Sequence, residues 1–131
     1  MNFSFGKNEK LCSKKDIQTI FDKGEKFASY PFFFIFNQAQ NREDAAVKVL
    51  ITVSKKKFKK AVHRNRIKRL CREVYRLNKH LLIENLPGNL NNSLHLAIAY
   101  IATEELPYST MHIAMQKSLK HIANEIKNHF S

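Results

Sequence analysis

A chain of 131 residues with 44% hydrophobic residues, 3 Gly and 3 Pro can bury one core unaided, which sets aside disorder and a multidomain array. It carries 23 Lys and Arg against 11 Asp and Glu, a formal net charge of +12, so a polyanionic partner is expected. The longest apolar runs, 31–36 and 94–102, are too short to span a bilayer, and the N-terminus has no apolar signal core, so a cytoplasmic protein that does not bind membranes is expected.

The first twelve residues are polar and are expected to be loose. Ser13 followed by Asp16 reads as a helix start; Ile17, Ile20 and Phe21 then share a face, and Gly24 supplies a stop. Residues 27–37 read as one strand, with Phe32, Phe34 and Phe36 on one face and Phe33 and Ile35 on the other. After a polar turn at 38–44, residues 45–54 alternate around Val47, Val49, Ile51 and Val53 as a second strand. A basic loop at 55–60 leads into a helix from about His63 to Leu82. Residues 87–93 are rich in turn formers, including Gly88. Residues 94–103 are apolar nearly throughout and predict a buried central strand. Pro107 and Ser109 open a last helix to about Asn128, with Met111, Met115, Leu119, Ile122 and Ile126 as its core stripe. The order α-β-β-α-β-α predicts a single domain over 1–131, an α+β fold with one small sheet packed with helices. Cys12 and Cys71 sit beside apolar helix positions and predict reduced core or near-core thiols, with no disulfide framework.

The charge is concentrated. Residues 55–76 hold eleven basic side chains and one acid, Glu73, a net +10 that leaves only +2 for the other 109 residues. At 3.6 residues per turn, Ile67, Leu70, Cys71, Val74 and Leu77 form an apolar stripe, with Asn65, Lys68, Arg69, Arg72 and Arg76 opposite. Arg64, Lys68, Arg72 and Arg76 repeat a like charge at i,i+4, which destabilises an isolated helix. A merely solvated face would interleave acids, so the pattern points to polyanion binding. A membrane surface would need apolar residues free to insert, and here the apolar stripe is accounted for as core. DNA bound through the major groove is left open by this reasoning.

The stretch Val53-Ser54-Lys55-Lys56-Lys57-Phe58-Lys59-Lys60-Ala61-Val62-His63-Arg64-Asn65-Arg66-Ile67-Lys68-Arg69 resembles the signature of the bacterial ribonuclease P protein family. Its centre, Ala-Val-x-Arg-Asn-Arg-x-Lys-Arg, is intact from Ala61 to Arg69. Asp16-Ile17-Gln18 with Ile20, Phe21 and Gly24 is similar to the family's first helix, and the element order matches from about Leu11 to about Lys127. This chain departs from the family at Lys59, where the family's basic loop has Gly. The resemblance implies a fold, shared with a ribosomal-protein domain, in which a left-handed crossover carries the Arg-Asn-Arg helix between two strands. It also implies one catalytic RNA partner bound 1:1, precursor tRNA as substrate, and Mg²⁺ ions held mainly by the RNA, which performs the cleavage that frees the 5′ leader.

On that basis Lys55, Lys56, Lys57, Lys59, Lys60, Arg64, Asn65, Arg66, Lys68, Arg69, Arg72 and Arg76 are expected to bind RNA. Lys14, Ile17, Phe21, Phe34, Phe36 and Lys48 are candidates for lining a leader cleft between the first helix and the sheet, where bases would stack on aromatics beside cations. No catalytic residue and no metal site is expected in the protein: the six His are scattered, no Cys/His spacing suits zinc, and Glu104-Glu105 reads as a loop before the last helix. Two other readings share the basic face: a general RNA-binding or ribosomal-type protein with no part in cleavage, and a stand-alone nuclease, which needs a general base.

Overall fold

The computed structural model describes residues 5–87 and 92–130, with side chains through Asn128. The expected loop at 87–93 therefore lies mostly outside the described residues, as do the first four of the twelve residues expected to be loose.

The first helix, α1, is Lys14–Lys23. Ser13 caps it, its Oγ accepting from the Asp16 N–H at 3.3 Å, which satisfies one of the donors left open at a helix start. Gly24 ends it, donating to Ile20 O at 2.8 Å. The backbone there is ordinary, with φ −70°, so conformational freedom is not why glycine is present. Space is the reason: a Cβ at this position would lie 2.4 Å from Ile20 O and 2.5 Å from Ile35 Cγ2. Gly24→Ala is expected to wedge α1 away from the sheet and destabilise the protein by about 1–3 kcal/mol. Urea unfolding checks this, and an unchanged midpoint would show that the helix yields freely.

The segment expected to be one strand is a hairpin. Strand β1, Glu25–Ser29, pairs antiparallel with β2, Phe32–Gln38, placing Phe27 opposite Phe34 and Ser29 opposite Phe32. The turn holds Tyr30 and Pro31, joined by a cis peptide. Pro31 has no N–H to give to a ladder, so an unbroken strand through it would lose a bond. Strand β3 is Val47–Val53 and β4 is Leu94–Tyr100. The sheet order is β1-β2-β4-β3, with β4 antiparallel to β2 and parallel to β3. As its apolar sequence predicts, β4 is central and buried from Leu94 through Ile98. The β3–β4 crossover contains helix α2, Ala61–Asn78, and the short α3, His80–Ile83; α4, Tyr108–Phe130, closes the chain. The architecture is the expected α+β arrangement, with an extra strand and, at Lys79, a break that splits the helix expected from about His63 to Leu82 into α2 and α3.

The two faces of the sheet are unequal. Phe32, Phe34, Phe36, Val47, Val49, Leu96 and Ile98 pack with Ile67, Cys71 and Val74 of α2 and with Met111, Met115, Leu119 and Ile122 of α4. On the other face Ile35 and Ala97 form a small cluster with Ile20 of α1, with Phe33 partly buried beside them. Helix α2 buries Ile67, Cys71, Val74, Tyr75 and Asn78, so Tyr75 joins the stripe expected there while Leu70 packs at its margin. Burial pushes the Cys71 thiol up to about 12, which keeps it protonated and inert. Cys12 is exposed, not near-core as expected.

The segment 5–12 is also not loose. A 3₁₀ turn, Lys7–Glu9, precedes a parallel bridge from Lys10 to Val49. Leu11 donates to Val49 O at 2.9 Å and is buried. Phe5 sets its ring edge-on to Tyr75 at 5.5 Å, and Lys79 Nζ lies 2.6 Å from Glu9 Oε1 with both side chains largely buried. Polar sequence hid this docking because its anchors are single residues. No described helix is long and apolar enough to cross a membrane.

Candidate nucleic-acid interface

The lysine-rich loop is a built scaffold. Ser54 Oγ accepts from the N–H groups of Lys56 at 3.2 Å and Lys57 at 3.4 Å, a local turn typical of serine. Phe58 is buried and plugs the loop into the core, edge-on to His63 at 4.8 Å. Arg64 Nη1 donates to Phe58 O at 2.8 Å and Lys59 O at 2.9 Å, tying the loop to the first turn of α2. With Phe58 inward, Lys55, Lys56, Lys57, Lys59 and Lys60 are left exposed. Among the described residues no non-glycine has a positive φ, so Lys59 occupies ordinary backbone and no glycine is required there.

Helix α2 adds its own field. Its first turn has no acidic residue, so the partial positive charge of the helix N-terminus stands uncompensated among cations. Asn65, Arg69 and Arg72 are exposed and Lys68 is half-buried. Arg76 forks onto Glu73, Nη2 to Oε1 at 2.6 Å and Nε to Oε2 at 3.2 Å, and this guanidinium holds the Glu73 carboxyl below its usual range. Arg66 forks onto Glu105, Nε donating to Oε1 at 3.0 Å and Nη2 to Oε2 at 2.7 Å. Lys57 Nζ donates to Ile101 O at 2.6 Å. The twelve residues expected to bind RNA thus fall into unlike groups. Lys55, Lys56, Lys59, Lys60, Lys68, Arg69 and Arg72 have no protein partner for their charge among the described residues, whereas Arg66 and Arg76 are carboxylate-bound.

The second surface lies on the α1 face of the sheet. Lys14 and Phe21 are exposed there and Ile17 is half-buried. Val47, Val49 and Val53 belong to the main core, so alternation turns Lys48, Leu50 and Thr52 to the α1 side. Phe34 and Phe36 do not belong to this surface. They are 0% and 6% exposed and pack on α2 and α4, so neither can meet a ligand at the α1 face. Phe33, one position out of phase, shares that face with Ile20 and Ile35 and replaces them as the strand aromatic. Arg72 of α2 borders a groove of about 160 Å³ with Lys10, Cys12 and Leu50, so the cationic plate and the α1 face meet over the β3 edge.

A family model, Ribonuclease P, matches residues 5–123. The chain belongs to the ribonuclease P protein family. A protein named ribonuclease P protein component from Porphyromonas gingivalis is 40% identical over 126 residues, 95% of this chain and 90% of that protein. Another so named, from Dictyoglomus thermophilum, is 41% identical over 86 residues, 64% of this chain and 67% of that protein. The RNase P protein of Thermotoga maritima superposes with a TM-score of 0.67 at 23% identity, covering 86% of this chain and 96% of that one. That of Staphylococcus aureus gives 0.64 at 23% identity, covering 88% and 96%. Membership makes the chain the protein subunit of a ribonucleoprotein endoribonuclease, with RNA as its partner.

Two features of this ribonuclease P protein were not legible beforehand. Glu105, read as part of a loop, reaches across to the Arg-Asn-Arg helix; a contact between residues 39 apart leaves no periodic trace. The second is a trio, Asp16, Glu43 and His95, with ligand atoms all within 4.8 Å of one another. No metal-ligating group was expected in the protein. The trio is partly satisfied internally, with His95 Nε2 2.6 Å from Glu43 Oε1 and Lys48 Nζ 3.6 Å from Glu43 Oε2.

Proposed function

We propose that this subunit holds the catalytic RNA of ribonuclease P through the plate at 55–76 and receives the 5′ leader of precursor tRNA on the α1 face. It thereby promotes Mg²⁺-dependent removal of the leader and formation of the mature tRNA 5′ end, as one protein per RNA, in the cytoplasm. One observation carries this reading. A plate with seven cations that have no protein partner among the described residues runs over the β3 edge toward a second surface that offers Phe21, 45% exposed, and half-buried Phe33 and Ile17. Arg is suited to bidentate contact with phosphate, and an aromatic ring accepts any base by stacking. Lys14 and Lys48 are placed to contact leader phosphates, although Lys48 must first exchange Glu43 and Asp44, 3.6 and 3.7 Å away.

The protein's role in this scheme is electrostatic and positional. Catalytic RNA and substrate are both polyanions, and a plate of net +10 lowers their mutual repulsion. The Mg²⁺ ions fit the RNA better than the trio found here. Mg²⁺ takes hard oxygen ligands in octahedral array, whereas the trio offers an imidazole and two carboxylates, of which that of Glu43 is already engaged by Lys48 and His95. No chemical step is therefore assigned to them.

Precursor tRNA incubated at low Mg²⁺ with protein alone, catalytic RNA alone, and both together tests the proposal. Cleavage far faster with both is expected. Cleavage by protein alone would establish a stand-alone nuclease, and no gain over RNA alone would leave a general RNA binder.

A further inference from the structure

We propose that Glu105 is a positioning residue that sets RNA specificity, by turning Arg66 from a general cation into a directional phosphate ligand. The inference rests on the RNA-binding role of residues 55–76 given above and adds a residue from outside that segment. Glu105 lies in the link between β4 and α4, whose course is fixed independently of its side chain: Tyr100 Oη donates to Glu104 O at 2.8 Å and accepts from Leu106 N–H at 3.1 Å. From this anchored link the carboxylate accepts from Arg66 Nε at 3.0 and 3.1 Å and from Nη2 at 2.7 Å. His63 Nε2 sits 3.1 Å from Oε2, so two residues of the signature, one turn apart, converge on one acid.

The geometry decides what Arg66 can still do. A guanidinium has five N–H groups. Glu105 engages the edge formed by Nε and Nη2, which leaves both N–H groups of Nη1 and one of Nη2. One N–H from each Nη lies on the end-on edge, and such a pair still suits a bidentate phosphate contact. The Arg66 side chain is 56% exposed while Glu105 is 28% exposed, so the acid sits behind and the cation in front. A free arginine would follow any phosphate chain. A forked one meets only a phosphate arriving along a fixed direction, and it has lost most of its rotamer freedom in advance. The carboxylate also removes one unit of net charge from the plate, which weakens undirected attraction. The fork persists at neutral pH, because Arg66, and secondarily His63, hold the Glu105 carboxyl below its usual range. It is lost only as acid protonates the group beneath that range.

The contrast with Arg64 sharpens the assignment. Positions 64 and 66 are about 200° apart around a helix. Arg64 turns to the loop carbonyls of Phe58 and Lys59 and Arg66 turns to Glu105, so the two arginines of one motif do different work.

The test uses the full chain with Glu105→Gln, Arg66→Gln and the double variant, binding the folded catalytic RNA or poly(U) of equal length. In Glu105→Gln, affinity for poly(U) is expected to rise a few-fold, with the log K against log salt slope steeper by about 0.7 as one cation is released. Affinity for the folded RNA is expected to fall, so that discrimination drops about tenfold or more. In the Arg66→Gln background, Glu105→Gln should leave discrimination between the two RNAs unchanged, which a merely structural loop role would not produce. Glu105→Asp should restore part of the discrimination. If Glu105→Gln keeps the wild-type preference, or changes both affinities by one factor, the positioning role is overturned while the proposed function stands. If the wild-type protein shows no preference for the catalytic RNA, the proposed function fails and this inference fails with it.

Discussion

Replacing Arg69 and Arg72 with Ala is expected to weaken binding to the catalytic RNA by roughly 100-fold at moderate salt, with the fold intact. Both side chains are exposed on α2 and neither has a protein partner for its charge among the described residues, so their loss removes phosphate contacts and leaves nothing unpaired inside. Charge-assisted hydrogen bonds contribute about 1.5–3 kcal/mol each, and about 3 kcal/mol for the pair corresponds to that factor. The log K against log salt slope should become shallower by about 1.5, reflecting two fewer phosphates neutralised. Titrations of the RNA at several salt concentrations read both numbers. An affinity loss with an unchanged slope would remove these residues from the phosphate-binding set. The sequence alone also suggests removing Arg64, Arg66 and Arg69 together. That variant confounds three roles, since Arg64 braces the lysine loop and Arg66 is held by Glu105.

Lys79→Met is expected to destabilise the protein by about 3 kcal/mol. The Lys79 side chain is 5% exposed and Glu9 14%, and breaking a largely buried pair commonly costs about 3–5 kcal/mol because a charge is left uncompensated. After the change Glu9 keeps the Gly6 N–H, at 2.9 Å. The loss should fall at the lower end because segment 5–12 can swing out and rehydrate the carboxylate. Adding Glu9→Gln should recover much of the loss, since a neutral pair leaves no buried charge. Urea unfolding of the two single variants and the double completes the cycle. Equal, additive losses would show that the two side chains act independently.

How much was legible in the sequence differs by kind of signal. Helices that repeat an apolar period, such as α2 and the Met111, Met115, Leu119 stripe of α4, follow from spacing, and β4 follows from its continuous apolar run. The hairpin was missed because an unbroken aromatic run imitates one long strand, although Pro31 was the available warning. Alternation separated Phe32, Phe34 and Phe36 from Phe33 and Ile35, but it cannot say which face is covered. A physical clue was present. Two long helices need a wide apolar floor, and three phenylalanines supply it, while α1 offers only Ile17, Ile20 and Phe21. The cationic plate was legible because its residues are consecutive on one helix and its preceding loop. Glu105 and the docking of segment 5–12 were not, because they depend on which distant elements become neighbours.

The position of β4 has a consequence for synthesis. It occupies the middle of the sheet, between β2 and β3, yet it is made after the whole cationic helix. A nascent chain that ends before Leu94 carries a polycation with no surface to seat it, and a β1–β2 hairpin separated from β3 by a gap. Parallel pairing across such a long connection is slow to form. Competence to bind RNA selectively should therefore appear late, with insertion of β4 and arrival of Glu105, and in refolding it should track the slowest phase in stopped-flow measurements. Until then the emerging protein would be a loose basic chain on the ribosome, itself mostly RNA, and timing of this insertion decides how long that exposure lasts.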